Sequence, residues 1–110
     1  MTMFELYMRE RHGFDCYSDQ HGFVMYKIEG STLLIGEFFV HPNYRQKGFA
    51  KFLAQFIDNV ADEEKCEEIL ANVWVDAPLS EIVLRLALGL GYTLKMAQNN
   101  CITISKKVGV

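Results

Sequence analysis

The stretch "HPNYRQKGFAKF", residues 41–52, places Arg45, Lys47 and Lys51 where an apolar strand-like run gives way to an amphipathic helix-like run. A helix N-terminus carries roughly half a unit of positive charge from its aligned peptide dipoles. Acids are therefore usual in a first turn and cations in a last one. This first turn has no acid. Cations there fit an anion held at the helix start: free N–H groups of the first turn would point at it, and Arg45 and Lys47 would neutralise its remaining charge. Gly48 would let the backbone approach a bulky phosphate, and the small Ala50 would keep the helix start open.

The flanking elements must hold that turn in place. Residues 32–40 (TLLIGEFFV) read as a strand ended by His41-Pro42, because proline cannot donate to a ladder. Residues 23–29 (FVMYKIE) form its hairpin partner across Gly30-Ser31. From Gly48 the apolar period becomes helical through Phe49, Phe52, Leu53, Phe56, Ile57 and Val60, predicting a helix to about Glu63. "EILANVWV" (68–75) has the unbroken apolar character of a central strand covered on both faces. Pro78 suits the first position of a second helix, with Asp76 or Ala77 near its cap and Gly89 or Gly91 at its end. That helix is apolar almost all round, which predicts burial on more than one side. Residues 92–97 and 101–107 form a closing hairpin around Gln98-Asn99-Asn100. At the other end, residues 3–9 (MFELYMR) alternate as a first strand would, and a polar loop follows with a short strand at 14–17. The strand–helix–strand unit at the centre implies parallel neighbours, and the hairpins add antiparallel strands. The expected fold is α/β (α+β by some conventions), a mixed central sheet with two packed helices.

Composition narrows the function. At 110 residues and 12.6 kDa the chain is expected to be a single domain, residues 1–110. Half of it is apolar, so it should fold as a globule. A net charge of −3 gives no general affinity for nucleic acid or anionic membrane. Much of the acid lies in "DNVADEEKCEE" (58–68), which makes the positive cluster a local feature. Cys16, Cys66 and Cys101 form no C-x-x-C pair and read as reduced thiols of a soluble, cytoplasmic protein. His12 and His21 share a loop with Asp15 and Cys16 but have no metal-ligand spacing, so no metal is expected. Trp74, Phe49, Phe52 and Phe56 read as core.

"FFVHPNYRQKGFAKFL" resembles the central motif of the GNAT superfamily of N-acetyltransferases: an apolar strand, Val-x-Pro-x-Tyr, then Arg/Gln-x-x-Gly-x-Gly/Ala. "PLSEIVLRLALGLGYTL" resembles the second family motif, a helix ending in Gly-Phe or Gly-Tyr. The resemblance covers residues 23–107 and implies an acyl-CoA N-acyltransferase-like fold with acetyl-coenzyme A as cosubstrate. It implies pantetheine contacts at Phe39 and Val40, and a pyrophosphate cradle at Arg45, Gln46, Lys47, Gly48, Phe49 and Ala50. Ser80 stands where relatives commonly carry a cofactor-side asparagine. Glu37, on the strand leading into the motif, matches the carboxylate that deprotonates the attacking ammonium. An amine with pKa near 10 must lose a proton before it attacks a thioester. His41 is a second candidate base, although a histidine before this proline is usually structural.

Two departures bear on activity. Only thirteen residues separate residue 9 from residue 23, too few for the usual first helical pair. The acceptor side is therefore open, or a homodimer completes it. The general-acid tyrosine of many relatives is replaced by Ala87, and Tyr92 reads as core. The expected function is acetyl transfer from acetyl-coenzyme A to an amine, on a small molecule or a protein, by direct attack. The alternative is a non-catalytic coenzyme A-binding or structural protein of the same fold. "NVWV", a short Ser-containing helix, a glycine and a C-terminal hairpin are similar to small podophage proteins of this type, some of them virion-associated.

Overall fold

A computed structural model describes residues 2–76 and 80–109. Its elements are α1 (Met3–His12), β1 (Asp15–Asp19), β2 (Gly22–Glu29), β3 (Thr32–Val40), a 3-10 turn (Pro42–Tyr44), α2 (Phe49–Glu63), β4 (Glu68–Trp74), α3 (Ser80–Gly89), β5 (Thr93–Gln98) and β6 (Cys101–Lys107). Six strands form one mixed sheet in the order β1-β2-β3-β4-β6-β5, in which only β3 and β4 run parallel. The expected mixed sheet with two packed helices is observed, and a third helix precedes it.

The hairpin turns follow their chemistry. Gly30 has a φ of 61°, a left-handed value that glycine adopts at low cost, and Glu29 pairs directly with Thr32. Asn99 and Asn100 both take left-handed φ values between Gln98 and Cys101, the backbone twist that a two-residue hairpin loop prefers. On one sheet face Val24, Leu33, Ile69, Val73 and Ile104 meet Leu53, Ile57 and Ala61 of α2, with Leu84 and Ala87 of α3 beside them. Full burial of one such aliphatic side chain contributes about 1.5–3 kcal/mol. The half-buried Asp58–Lys106 ion pair (3.0 Å) ties α2 to β6, and Lys106 Nζ lies 5.7 Å from the Tyr92 ring centre.

Four expectations need correction. The predicted strand at 3–9 is helix α1. Thr2 Oγ1 accepts the Glu5 N–H, Glu5 returns a bond to Thr2 N, and Gly13 closes the helix at φ 73°. The alternation misled: Met3, Phe4, Tyr7 and Met8 stand at helical spacing, although α1 buries no residue. The second helix is also less buried than predicted: α3 has no fully buried residue, and Ile82, Val83 and Leu88 are exposed. Strand β4 is central but covered on one face only, since Asn72 and Trp74 are exposed. Trp74 and Phe52, expected in the core, are both exposed, whereas Phe49 and Phe56 pack against it. The expected cap at Asp76 or Ala77 and Pro78 at the helix start fall wholly or partly outside the described residues.

Candidate active site

β3 and β4 pair over only four residues, from Thr32↔Glu68 to Ile35↔Ala71, although both strands continue beyond. The break coincides with an irregularity in the β2–β3 ladder. Tyr26 pairs with Ile35 but Met25 pairs with Glu37, leaving Gly36 as an extra residue on β3. Such a bulge bends its strand and re-aims the side chains that follow. A Cβ at Gly36 would lie 2.6 Å from the Phe14 ring, so the extra residue has to be small there.

Backbone directions follow from the partners. His41 N donates to His21 O (2.7 Å), and the Phe39 carbonyl lies against Gly22. Residues 37, 39 and 41 thus turn their polar groups to β2, while Phe38 and Val40 turn theirs to the gap. The expected pantetheine contacts therefore divide: the Val40 backbone faces the gap and the Phe39 backbone does not. Phe38, missed in the sequence, does. The Val40 carbonyl already accepts Arg45 Nε (3.0 Å).

The gap opens into a cavity of about 230 Å³ between β3, β4, α2 and α3, with Glu37, Phe38, Asn72, Ser80, Ala87 and Tyr92 in its lining. Glu37 pairs with Met25, so it stands on the sheet face opposite α2 and α3. Ser80 Oγ donates to the Val75 carbonyl (3.0 Å), tying the start of α3 to the end of β4. Ala87 brings only a methyl group. Tyr92 is 6% exposed; burial, and next the charge of Asp58, push its phenol pKa well above the ordinary value. His41 caps the 3-10 turn, its Nδ1 accepting Asn43 N–H (3.1 Å), a structural task that leaves Glu37 as the candidate base.

At one end of this gap lies the start of α2. Gly48 is its N-cap with a φ of 87°, no side chain caps it, and no acid stands in its first turn. The first intrahelical bond is Phe52 N to Gly48 O, so the preceding amides have no helical acceptor. A Cβ on Gly48 would meet nothing within 4 Å, which leaves the cradle open above it. Gln46 also has a left-handed φ, 61°, so two of the three residues before α2 are in the left-handed region. Arg45 lies over the Phe39 ring at 5.5 Å, and Arg45, Lys47 and Lys51 form no salt bridge among the described residues.

The turn is braced by a residue that sequence reasoning left in a loop. His21 stacks on Phe49 (3.9 Å, 14°), meets the edge of Tyr44 (4.6 Å), and contacts Asp19 Oδ1 through Nδ1 (3.2 Å). The backbone N–H of His21 (2.8 Å), more than any other partner, holds the Asp19 carboxyl below its ordinary pKa. His21 thus packs the first residue of α2.

A family model described as "Acetyltransferase (GNAT) family" matches residues 4–92. The chain belongs to the GNAT acetyltransferase family. No curated protein matches it significantly. Solved structures share the fold at low identity. The PaiA N-acetyltransferase of Thermoplasma acidophilum, in complex with coenzyme A, is 16% identical with a TM-score of 0.74, over 91% of this chain and 65% of that one. Ard1 of Thermoplasma volcanium is 16% identical with a TM-score of 0.76, over 94% and 76%. The ribosomal-protein-S18-alanine N-acetyltransferase of Escherichia coli is 9% identical with a TM-score of 0.76, over 100% and 79%. This GNAT chain thus spans just under two thirds of the length of the first of these relatives.

Proposed function

We propose that the protein transfers an acetyl group from acetyl-coenzyme A to an amine. The observation that carries this reading is the early end of the β3–β4 ladder, which opens a gap leading to the cationic, uncapped start of α2. The first amides of α2, with Arg45, Lys47 and Lys51, would hold the pyrophosphate. Gln46 and Gly48 shape the turn, and Phe49 and Ala50 lend their amides. Val40 and Phe38 would offer N–H groups to the pantetheine arm and thioester carbonyl, and Phe39 would stack beside Arg45. Ser80 would contact the arm from α3. The free thiols Cys16, Cys66 and Cys101 suit a reducing, cytoplasmic setting.

The acceptor amine would enter from the opposite face, where Glu37 takes a proton from its ammonium, directly or through water. The nitrogen lone pair then attacks the acetyl carbon. Negative charge develops on the carbonyl oxygen, within reach of the Phe38 N–H. Collapse breaks the C–S bond, the thiolate leaves with the electron pair, and the second proton that nitrogen sheds on becoming an amide passes through solvent to the thiolate. A thiol pKa of about 8.5 makes this a good leaving group even where Ala87 offers no acid.

Acetyl-coenzyme A should raise the thermal midpoint, and Gly48→Glu should abolish that rise by placing a carboxylate in the cradle; no shift at millimolar cofactor would sink the reading. Glu37→Gln should slow thiol release about a hundredfold and leave the cofactor shift intact. The methyl group of Ala87 favours a second reading, a non-catalytic coenzyme A-binding protein. Binding without release across a broad amine panel would decide for it.

A further inference from the structure

The sheet face opposite α2 and α3 is covered at one end only. There Phe14 lies against Gly36, with Lys27 Nζ 4.9 Å from its ring centre. Over β4, β6 and β5 the face is bare and forms a second hollow, lined by Asn72, Trp74, Met96, Gln98, Cys101 and Thr103. Asn72 and Trp74 also line the first cavity, whose lining includes Glu37, so the two hollows adjoin along the far end of β4.

We propose that this hollow receives the body of the acceptor, and that the acceptor is a primary monoamine with an uncharged, ring-bearing body. The inference rests on the acetyl-transfer reading and names its substrate class.

Charge argues first. Among the described residues lining the two cavities, Glu37 is the only acid or base carrying a formal charge at neutral pH. One carboxylate answers one ammonium. Within those linings a carboxylate or phosphate on the acceptor would meet Glu37 and no cation, and a second ammonium would find no second acid. Nearby on this face, Lys95 and Glu68 already neutralise each other at 3.0 Å. Shape argues second. Trp74 and Met96 are 54% and 52% exposed, two large apolar side chains beside the hollow, where a flat ring would cover them. Thr103 donates its hydroxyl hydrogen to Asn72 Oδ1 (2.9 Å), which orients the Asn72 amide and leaves its N–H2 for a neutral polar substituent. In the reaction the monoamine gives its proton to Glu37 or its water, forms the bond to the acetyl carbon, and releases the thiolate of coenzyme A.

Trp74 is the only tryptophan in the chain, so its emission reports on the hollow without turnover. 2-Phenylethylamine should change that emission saturably, whereas phenylalanine, the same body with a carboxylate, and spermidine, a polyamine, should not. With acetyl-coenzyme A, kcat/KM for 2-phenylethylamine should exceed that for either by about tenfold or more. Trp74→Ala should raise the KM for 2-phenylethylamine about fivefold and Trp74→Phe should recover most of it, while Met96→Ala, at a residue that lines only the second hollow, should raise that KM and leave the acetyl-coenzyme A thermal shift unaltered. Equal use of phenylalanine or spermidine overturns the inference. So does an unchanged KM in Trp74→Ala, or a monoamine that neither perturbs Trp74 nor releases thiol. If acetyl-coenzyme A gives no shift, the underlying reading fails with it; if the cofactor binds and charged acceptors are preferred, this inference fails alone.

Discussion

The phenol of Tyr92 lies in the wall of the first cavity with Lys106 against its ring, and burial holds its pKa above the ordinary value. The sign of its effect follows. Below about pH 10 the phenol is neutral in both the folded and unfolded chain, so no stability is lost. Above that, the unfolded chain releases its proton while the folded one resists, and stability falls as pH rises. Tyr92→Phe removes this linkage. Denaturant midpoints of the two proteins should run parallel up to about pH 10 and separate above it, with wild type falling faster. At this scale the cations at 45–51 were legible because the helix-dipole rule is local. The brace of His21 on Phe49 was not, because it joins residues far apart in the chain whose meeting is decided by the β2–β3 register.

Strand β3 is built to be interrupted, and its neighbour β2 is built to fit the interruption. Gly22 is buried opposite Val40, and a Cβ there would run into the Phe39 carbonyl and the Val40 Cα. Backbone atoms cannot swing aside as a side chain can. Gly22→Ala should therefore lower stability by about 1–3 kcal/mol in chemical denaturation and weaken the acetyl-coenzyme A shift by moving Val40. Gly13→Ala, at a left-handed cap with open space around it, should cost only about 1 kcal/mol of backbone strain and leave the shift unchanged. β2, β3, α2 and β6 were legible because each buries a face, and burial writes a period into the sequence, whereas β5, exposed throughout, was legible through the Asn-rich turn that joins it to β6. α1 buries nothing, and its signals were its caps, Thr2-x-x-Glu5 and Gly13, with Met3, Phe4, Tyr7 and Met8 at helical spacing between them. The bulge at Gly36 left no periodic trace, since a single extra residue only shifts the alternation.

The whole molecule sorts its charges against the dipole of α2. Cations gather at the start of that helix, and Asp58, Asp62, Glu63 and Glu64 lie toward its end, on a chain of net charge −3. The sheet is sorted too. β1, β2 and β3 come from residues 15–40 and β4, β5 and β6 from residues 68–107, and apart from the β3–β4 contact each set pairs within itself. Four parallel pairs join the two sets, with α2 laid across the join. Amide exchange should display this division. The N–H groups of Phe38 and Val40, facing the gap, should exchange fast in the free protein and slow when acetyl-coenzyme A is added; those of Glu37 and Phe39, facing β2, should stay protected throughout.

That short ladder also has a meaning for assembly. Each half is a contiguous piece of chain that satisfies its own hairpins, and the turn between Glu64 and Glu67 adds one backbone bond across the join, from Glu67 N–H to the Ser31 carbonyl (2.7 Å). The fold is laid out as a split protein, two complementary fragments rejoined by four rungs, the apolar face of one helix and the Asp58–Lys106 ion pair.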